Sequence, residues 1–414
     1  MCTVHILAAG PVQTNWVTNI YGAERFVADA ETPLVPESSG VIASRLQADL
    51  YWTHNDSGMS HPRVYAFRLS AADRKRRLAK HLGYVELEGA SCVDWEDIAA
   101  GPDGTIYILD GGDNPPCCRS NKRIYRFKEP AVDSNGPPVA LHVRCESCFF
   151  EYPDARDAAR PAMQNNDRYD AECLIVHPMT GDIYIVTKRD SRQKPIARVF
   201  KLAAVDIAWN TNRGHILKFV ADISDRVPHM ITAGDIDVAG ERVLIRNYFG
   251  FYEFILPKGQ RFETIFQQQP VMQFLTLEAV QLLQGEGICY ARDGRDLVIT
   301  TEARRGVSDR RFKVFTVPWR LANLRANHVA DTSADVSWNT ADPLDSLVEY
   351  GLTDRFGFSV GDDKKTTTHH VALTNLKPDT RYHYRVRSGP LTYPTTGPAP
   401  SFVTRQSNAS QPLR

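Results

Sequence analysis

Residues 94–114 read DWEDIAAGPDGTIYILDGGDN. An acidic cluster leads into an apolar run, a Pro-Asp-Gly turn follows, and a second apolar run with period-two alternation ends in another polar cluster. That order is the signature of a β-hairpin. It recurs at 37–56 (ESSGVIASRLQADLYWTHND), 170–190 (DAECLIVHPMTGDIYIVTKRD), 232–250 (TAGDIDVAGERVLIRNYFG) and 285–303 (GEGICYARDGRDLVITTEA). Five related hairpins in one chain are a repeat, and a repeat dictates the architecture.

A third strand follows each hairpin: RVYAFRL (63–69), RIYRFKE (123–129), RVFKLAA (198–204), FYEFIL (251–256) and FKVFTVP (312–318). An outer fourth strand is expected in HLGYVEL (81–87), VALHVRC (139–145), HILKFVA (215–221) and RFETIFQ (261–267). Units of four antiparallel strands repeating every ~50–70 residues describe propeller blades. The last unit lacks an outer strand downstream, and ERFVADA (24–30) can supply it, closing the ring and removing open edges. The expected fold is therefore all-β: a five-bladed β-propeller over residues 1–320, with six blades as the alternative, followed by a different domain at 321–406 and a disordered tail at 407–414.

Composition limits the function. The 414 residues carry 49 Lys and Arg against 49 Asp and Glu, so no global field draws nucleic acid or an anionic membrane. No apolar run has the length of a membrane span, and a monomer is expected. The opening MCTVHILAAGPVQTN has no basic leader and does not read as a signal peptide. Four of the eight cysteines are grouped, Cys117 and Cys118 adjacent and Cys145 and Cys148 as C-E-S-C. Two disulfides are expected there, which points to an extracellular, periplasmic or cell-surface location, with a four-thiolate zinc site as the competing reading. Cys92, Cys173 and Cys289 read as buried thiols.

Chemistry is expected on the ring axis, where the first strands of all units converge. Counting two residues back from the first apolar anchor of each hairpin gives Ser39, Glu96, Glu172, Gly234 and Glu286. Three glutamates in one channel repel one another and raise each other's pKa unless a cation relieves them. Calcium suits such an oxygen-rich ring. The second tip of each hairpin supplies a ligand-binding set, expected at the other end of the strands: His54, Asn55, Asp56, Asp110, Asp113, Asn114, Lys188, Arg246, Asn247 and Glu302. Its mixture of acids and bases suits a small polar or anionic ligand, or an extracellular polymer. Asp56 near His54, or Asp94 near Glu96, can also form an acid and base pair. No G-x-S-x-G motif accompanies them.

These residues carry several resemblances. The Ser, Glu, Glu, small, Glu order resembles the axial calcium site of animal calcium-activated nucleotidases, which are five-bladed apyrases; carried over position by position, that resemblance implies Ser39, Glu96, Glu172 and Glu286 as calcium ligands, with Gly234 a departure for which Thr232 or Asp235 can compensate. The wider pattern, VDWEDIA with GGDN, DAE with TGDIYIVTK, TAGDI and GEGI, resembles uncharacterised secreted bacterial propellers labelled esterase-like or phytase-like. After Trp319 the chain resembles a fibronectin type III domain through Leu376, Pro378, Thr380, Tyr382, Tyr384 and Val386, with Tyr382 at a tyrosine corner and Trp338 in the core. V-E-Y-G followed by T-T-H-H-V-A-L-T-N-L-K-P-D-T resembles the module ahead of purple acid phosphatase catalytic domains. No G-N-H-E or G-D-x-x-Y motif follows, so phosphatase chemistry is not implied. His369 and His370 read as strand residues. Two functions are therefore expected as alternatives: an exported, calcium-stabilised binding or adhesion protein, or a calcium-dependent hydrolase of a phosphoester, nucleotide or lactone at the tunnel mouth.

Overall fold

The computed structural model describes residues 18–56, 61–114, 119–153, 169–190, 194–257, 259–275, 284–292, 294, 296–303, 308–389, 391–393 and 399–407. Strands make up over half of these residues and helical turns only a few, and they form two compact units. One comprises Gly22–Leu256 and Gln260–Pro318; the other comprises Trp319–Arg414 with the short segments Met1–Tyr21 and Pro257–Gly259. No helix among the described residues is long and apolar enough to cross a membrane.

The larger unit is a nearly closed, barrel-like set of antiparallel sheets. Each of the repeated hairpins opens one sheet, with first strands Ser38–Ala43, Trp95–Ala100, Tyr169–Val176, Ile231–Ile236 and Gly285–Tyr290. Each of these strands contacts the next, and the last contacts the first. The first strands are buried along nearly their whole length, because both faces of each sheet meet a neighbour. Apolar clusters fill the wedges between them. Ile42, Trp52 and Val85 meet Trp95, Ile98 and Tyr125 in one, and Cys173, Val186 and Val199 meet Ile236, Ile245 and Phe254 in another. Arg25–Ala30 pairs antiparallel with Lys313–Val317 and parallel with Leu78–Glu88, so an early strand links the last sheet to the first.

The outer positions differ in part from the sequence expectation. Leu78–Glu88 and Lys218–Asp222 are outer strands of the first and third sheets. Val139–Arg144, expected at the edge of the second sheet, instead adds in parallel to the first, and Glu146–Glu151 takes its place. Gly83 makes this approach possible: its φ is +114°, and a Cβ there would lie 1.9 Å from the Val139 carbonyl oxygen. RFETIFQ is a 3₁₀ turn over Phe262–Gln267, with Val271–Phe274 as the outer strand. Its apolar Phe262, Ile265 and Phe266 have helical spacing, and Ile265 and Phe266 are fully buried.

The expected disulfides are absent among the described residues. Cys145 and Cys148 are free thiols, as are Cys92, Cys173 and Cys289; Cys117 and Cys118 lie outside the described residues. Three positions apart on extended chain, Cys145 and Cys148 point to opposite faces. Cys145 enters the wedge between the first and second sheets and Cys148 the wedge between the second and third, so the C-x-x-C spacing forms no chelating turn. Burial pushes their thiols up to about 11 and about 12.

The second unit is a β-sandwich. Trp338 fills its core, donating Nε1–H to Ser388 Oγ at 2.9 Å, and His369 stacks on it with ring centroids 4.7 Å apart. His369 bonds Thr340 and Ser346 hydroxyls, each at 2.8 Å, which accounts for it as a packed strand residue. The Tyr382 hydroxyl accepts the Lys377 N–H at 2.9 Å. Thr18–Tyr21, grouped by sequence with the first unit, pairs with Trp319–Asn327 in this sandwich. Tyr382→Phe removes one hydrogen bond at a buried corner and should lower sandwich stability by about 1 kcal/mol, read as a lower urea midpoint with unchanged slope.

Candidate functional site

A β-bulge near the start of each first strand builds the site. In the second hairpin Trp95 pairs with Asp110 and Asp97 with Leu109, leaving Glu96 unpaired. The same slip leaves Glu172 in the third hairpin and Thr232 in the fourth. In the first and fifth it leaves Ser39-Gly40 opposite His54 and Glu286-Gly287 opposite Thr300. A bulge re-aims the side chain of its extra residue, so the ring reads Ser39, Glu96, Glu172, Thr232, Glu286. Counting from the anchor placed Gly234 in the fourth position, two residues too late. Two equivalent bonds support Thr232. Ser39 Oγ donates to the Glu96 carbonyl at 2.6 Å, and Thr232 Oγ1 donates to the Glu286 carbonyl at 3.1 Å.

Just below this ring the strands approach closely. Asp97, fully buried, accepts the N–H groups of Ile98, Leu174 and Gly234 at 2.9, 2.8 and 3.2 Å, tying three first strands through one carboxylate. Burial pushes its pKa well up, and the three amide donors pull against that shift. At Gly40 a Cβ would stand 2.7 Å from Asp97 Oδ1 and 3.0 Å from His54 Nε2. His54 Nδ1 meets the Asn55 carbonyl at 2.9 Å, so Nδ1 carries the proton and the buried Nε2 offers a lone pair. Burial lowers its pKa to about 4, which keeps the ring neutral at pH 7.

The two tips of each hairpin are one place. Antiparallel pairing returns the end of the second strand to the start of the first, and the Asp94 N–H donates to Asp110 Oδ1 at 3.1 Å. The expectation that Asp110, Asp113 and Asn114 face the far end of the strands is therefore corrected. A Cβ at Gly112 would lie 1.9 Å from Glu96 Oε1 and 2.5 Å from Asp94 Oδ2, so the G-G-D-N turn closes over the carboxylates.

Around Glu96 the acids form two groups that share it: Asp56, Asp94 and Glu96, and Glu96, Asp170 and Glu172. Within each group one carboxylate oxygen per residue lies within 4.8 Å of the others. All but Asp56 are buried. The consequence is electrostatic. Burial, followed by the Asp56 charge, lifts Asp94 to about 6. Burial and then Glu172 raise Glu96 well above the usual carboxylate range, and burial lifts Glu172 to about 8 against the pull of Lys188. Glu286 is also raised by burial. A cluster of acceptor-only oxygens at this spacing suits a hard divalent cation, which takes carboxylate oxygens at ~2.3–2.6 Å.

Basic side chains stand beside these acids. Lys188 Nζ is 2.7 Å from Glu172 Oε1, Arg189 Nη2 is 2.7 Å from Asp170 Oδ2, and Arg119 Nη2 is 2.6 Å from Asp110 Oδ1. Lys122 pairs with Asp113, and Arg189 also reaches Asn114 Oδ1 at 2.7 Å. Glu286 and Glu302 share Gln284 Nε2, at 2.8 and 3.0 Å. Two predicted residues are engaged elsewhere, and a third only in part. Asn55 ties Glu37 N–H to the Leu34 carbonyl, and Asn247 caps the turn at Phe249-Gly250. Arg246 is fully buried, and its Nη1 alone donates to the carbonyls of Gly287 and Thr300 at 2.7 and 3.0 Å, while its Nε and Nη2 have no hydrogen-bond partner among the described residues and Glu286 is the foremost opposite charge near it. Asp94 and Asp170 were absent from the predicted ligand set, although a signal existed: D-x-E occurs at 94–96 and again at 170–172.

Residues 322–404 match the N-terminal domain of purple acid phosphatases. The match covers the sandwich and leaves the ring of hairpins outside it. No curated protein matches the chain. Among solved structures, similarity is found to a computationally redesigned β-sandwich protein, 23% identical, covering 20% of this chain and 92% of that one with a TM-score of 0.17. A structure titled as a myokine is 22% identical over 21% of this chain and 97% of its own, with a TM-score of 0.18. A functionally unknown protein from Desulfotomaculum acetoxidans DSM 771 is 10% identical over 85% of this chain and 98% of its own, with a TM-score of 0.27. Likenesses this distant bear on neither the ring nor its chemistry.

Asp97→Asn replaces the acceptor of three backbone amides with a group that must turn an NH₂ towards them. It should cost about 3 kcal/mol, measured as a fall in urea stability of the larger unit, whereas Thr211→Ala, which removes one exposed side-chain bond to the Ala208 carbonyl, should cost less than about 1 kcal/mol.

Proposed function

We propose that the larger unit is a five-bladed β-propeller that binds calcium at one mouth of its axis and uses the ion, with neighbouring basic side chains, to capture a small anionic ligand. One observation carries this reading: two carboxylate triads, buried except at Asp56, share Glu96 at oxygen separations that one or two calcium ions can span. Without a cation the carboxylates must be protonated or stay charged at a high desolvation cost. Asp56, Asp94, Glu96, Asp170 and Glu172 would hold the ion, and Ser39 and Thr232 belong to the same ring, whereas Glu286 leans towards Gln284.

Ligand charge follows from the neighbours. When calcium takes the Glu172 and Asp170 oxygens, Lys188 and Arg189 lose part of their pairing and can turn to an anion bridging from the metal. The sandwich, read as a fibronectin type III domain, serves as an accessory module. In this reading the protein acts outside the cytoplasm, on the resemblance of its hairpins to secreted propellers; the free thiols lend export no support. A hydrolytic reading rests on the same juxtaposition of acids with Lys188 and Arg189, since a phosphoester held on calcium there would meet a metal-bound water.

Melting of the full chain should rise on adding calcium after chelator treatment, by an amount corresponding to about 2.7 kcal/mol at a hundredfold excess over the dissociation constant. Glu96→Gln should abolish that rise, because both triads lose a ligand, and Glu172→Gln should reduce it. Identical melting in chelator and in calcium overturns the metal site. Hydrolysis of phosphoesters, nucleotides or lactones that depends on calcium and on Glu172 would select the enzyme, and calcium-dependent anion binding without turnover would select the binding protein.

A further inference from the structure

The opposite mouth of the ring, where the first strands end, holds a cavity of about 140 Å³. Its apolar wall comes from Ile42, Ala100, Ile236 and Tyr290, and its charged groups are Arg45, Asp235 and Arg292. Other polar groups nearby are already committed. Ser44 Oγ donates to Glu129 Oε1 at 2.5 Å, and Asp237 is held by Arg242 Nε at 3.0 Å and by two backbone amides.

Arg45 and Asp235 have no side-chain partner at salt-bridge distance among the described residues and line the cavity itself. Asp235 is over nine-tenths buried, and its Oδ2 accepts the Tyr290 N–H at 2.9 Å. Arg45 makes one long bond, 3.4 Å from Nη1 to the Gly101 carbonyl. Each is the foremost opposite charge felt by the other, yet the two form no ion pair within 4 Å among the described residues. A buried carboxylate and a half-buried guanidinium thus line one apolar-walled cavity without touching each other. The cavity offers a guest both complementary charges.

We propose that this mouth binds a small zwitterion of the α-amino-acid class, its carboxylate on Arg45 with Arg292 and its ammonium on Asp235. Bidentate geometry at the guanidinium suits a carboxylate, and the apolar wall suits a short aliphatic side chain. The site is separate from the carboxylate cluster: it lies at the other end of the same strands and needs no metal.

The test is calorimetric titration of the full chain, in chelator, with glycine, alanine, valine and leucine, alongside propionate and propylamine as singly charged probes. Saturable binding of an amino acid is expected, with each singly charged probe weaker by about tenfold or more. Arg45→Gln and Asp235→Asn should each weaken binding by about tenfold or more, while Glu172→Gln leaves it unchanged. If Asp235→Asn fails to fold by circular dichroism, Arg292→Gln takes its place, with a smaller loss expected. The proposal is overturned if no amino acid binds saturably to the folded wild type, if propionate binds as tightly as alanine, or if Glu172→Gln rather than Arg45→Gln removes binding.

Discussion

Five hairpins can close on themselves only if their first strands come together with almost nothing between them. That steric demand governs the larger unit. Where Gly40 passes Asp97 there is no room for a Cβ, and at Gly234 a Cβ would stand 2.5 Å from the Cys173 sulfur. Backbone amides brought so close need acceptors, and the Asp97 carboxylate serves three of them from three strands. The bulges are the counterpart of this crowding. Each strand must leave its regular ladder before it reaches the mouth, and the residue expelled from the ladder points at its equivalents from the other sheets.

Convergence of that kind concentrates whatever residue type occupies the bulge. With glutamate there in three of five strands, and aspartate two residues earlier in two of those, the acids crowd into a buried space. Lys188 and Arg189 offset part of the charge, but Asp94 and Glu96 have no basic partner at salt-bridge distance among the described residues. The mouth is thus electrostatically incomplete in a way the far end is not: there the charges are fewer, opposite in sign and held apart.

Much of this was legible in the sequence, and the misses are instructive. Period-two alternation identified each hairpin and its third strand, because both depend on local pattern and burial. Outer strands were less legible. Val139–Arg144 alternates apolar and polar residues like any edge strand, and nothing in its own pattern says which sheet it joins; a glycine 56 residues earlier, Gly83, decides that. Glu96, Glu172 and Glu286 were found by counting from an apolar anchor. The same count failed at Thr232, because the bulge sits two residues further from its anchor in the fourth strand. The separation of the hairpin tips into two sites was an error of topology, since antiparallel strands begin and end together. Cys145 and Cys148 were expected in disulfides because four cysteines are grouped in sequence, but on extended chain the two enter different wedges and stay free.

The strand Arg25–Ala30 also sets a clock. Its Asp29 carboxylate meets Lys313 Nζ at 2.6 Å across 284 residues of chain, and among the described residues the last sheet has no other partner at that edge. At ribosomal rates of ~5–20 residues per second, this early segment waits roughly 15–60 s before its partner is made. Four hairpins can collapse in order as they emerge, but the seam closes only after the final strand is released. The polypeptide therefore spends its synthesis with an early strand awaiting its match, and the final joining is the step most exposed to a competing strand from another chain.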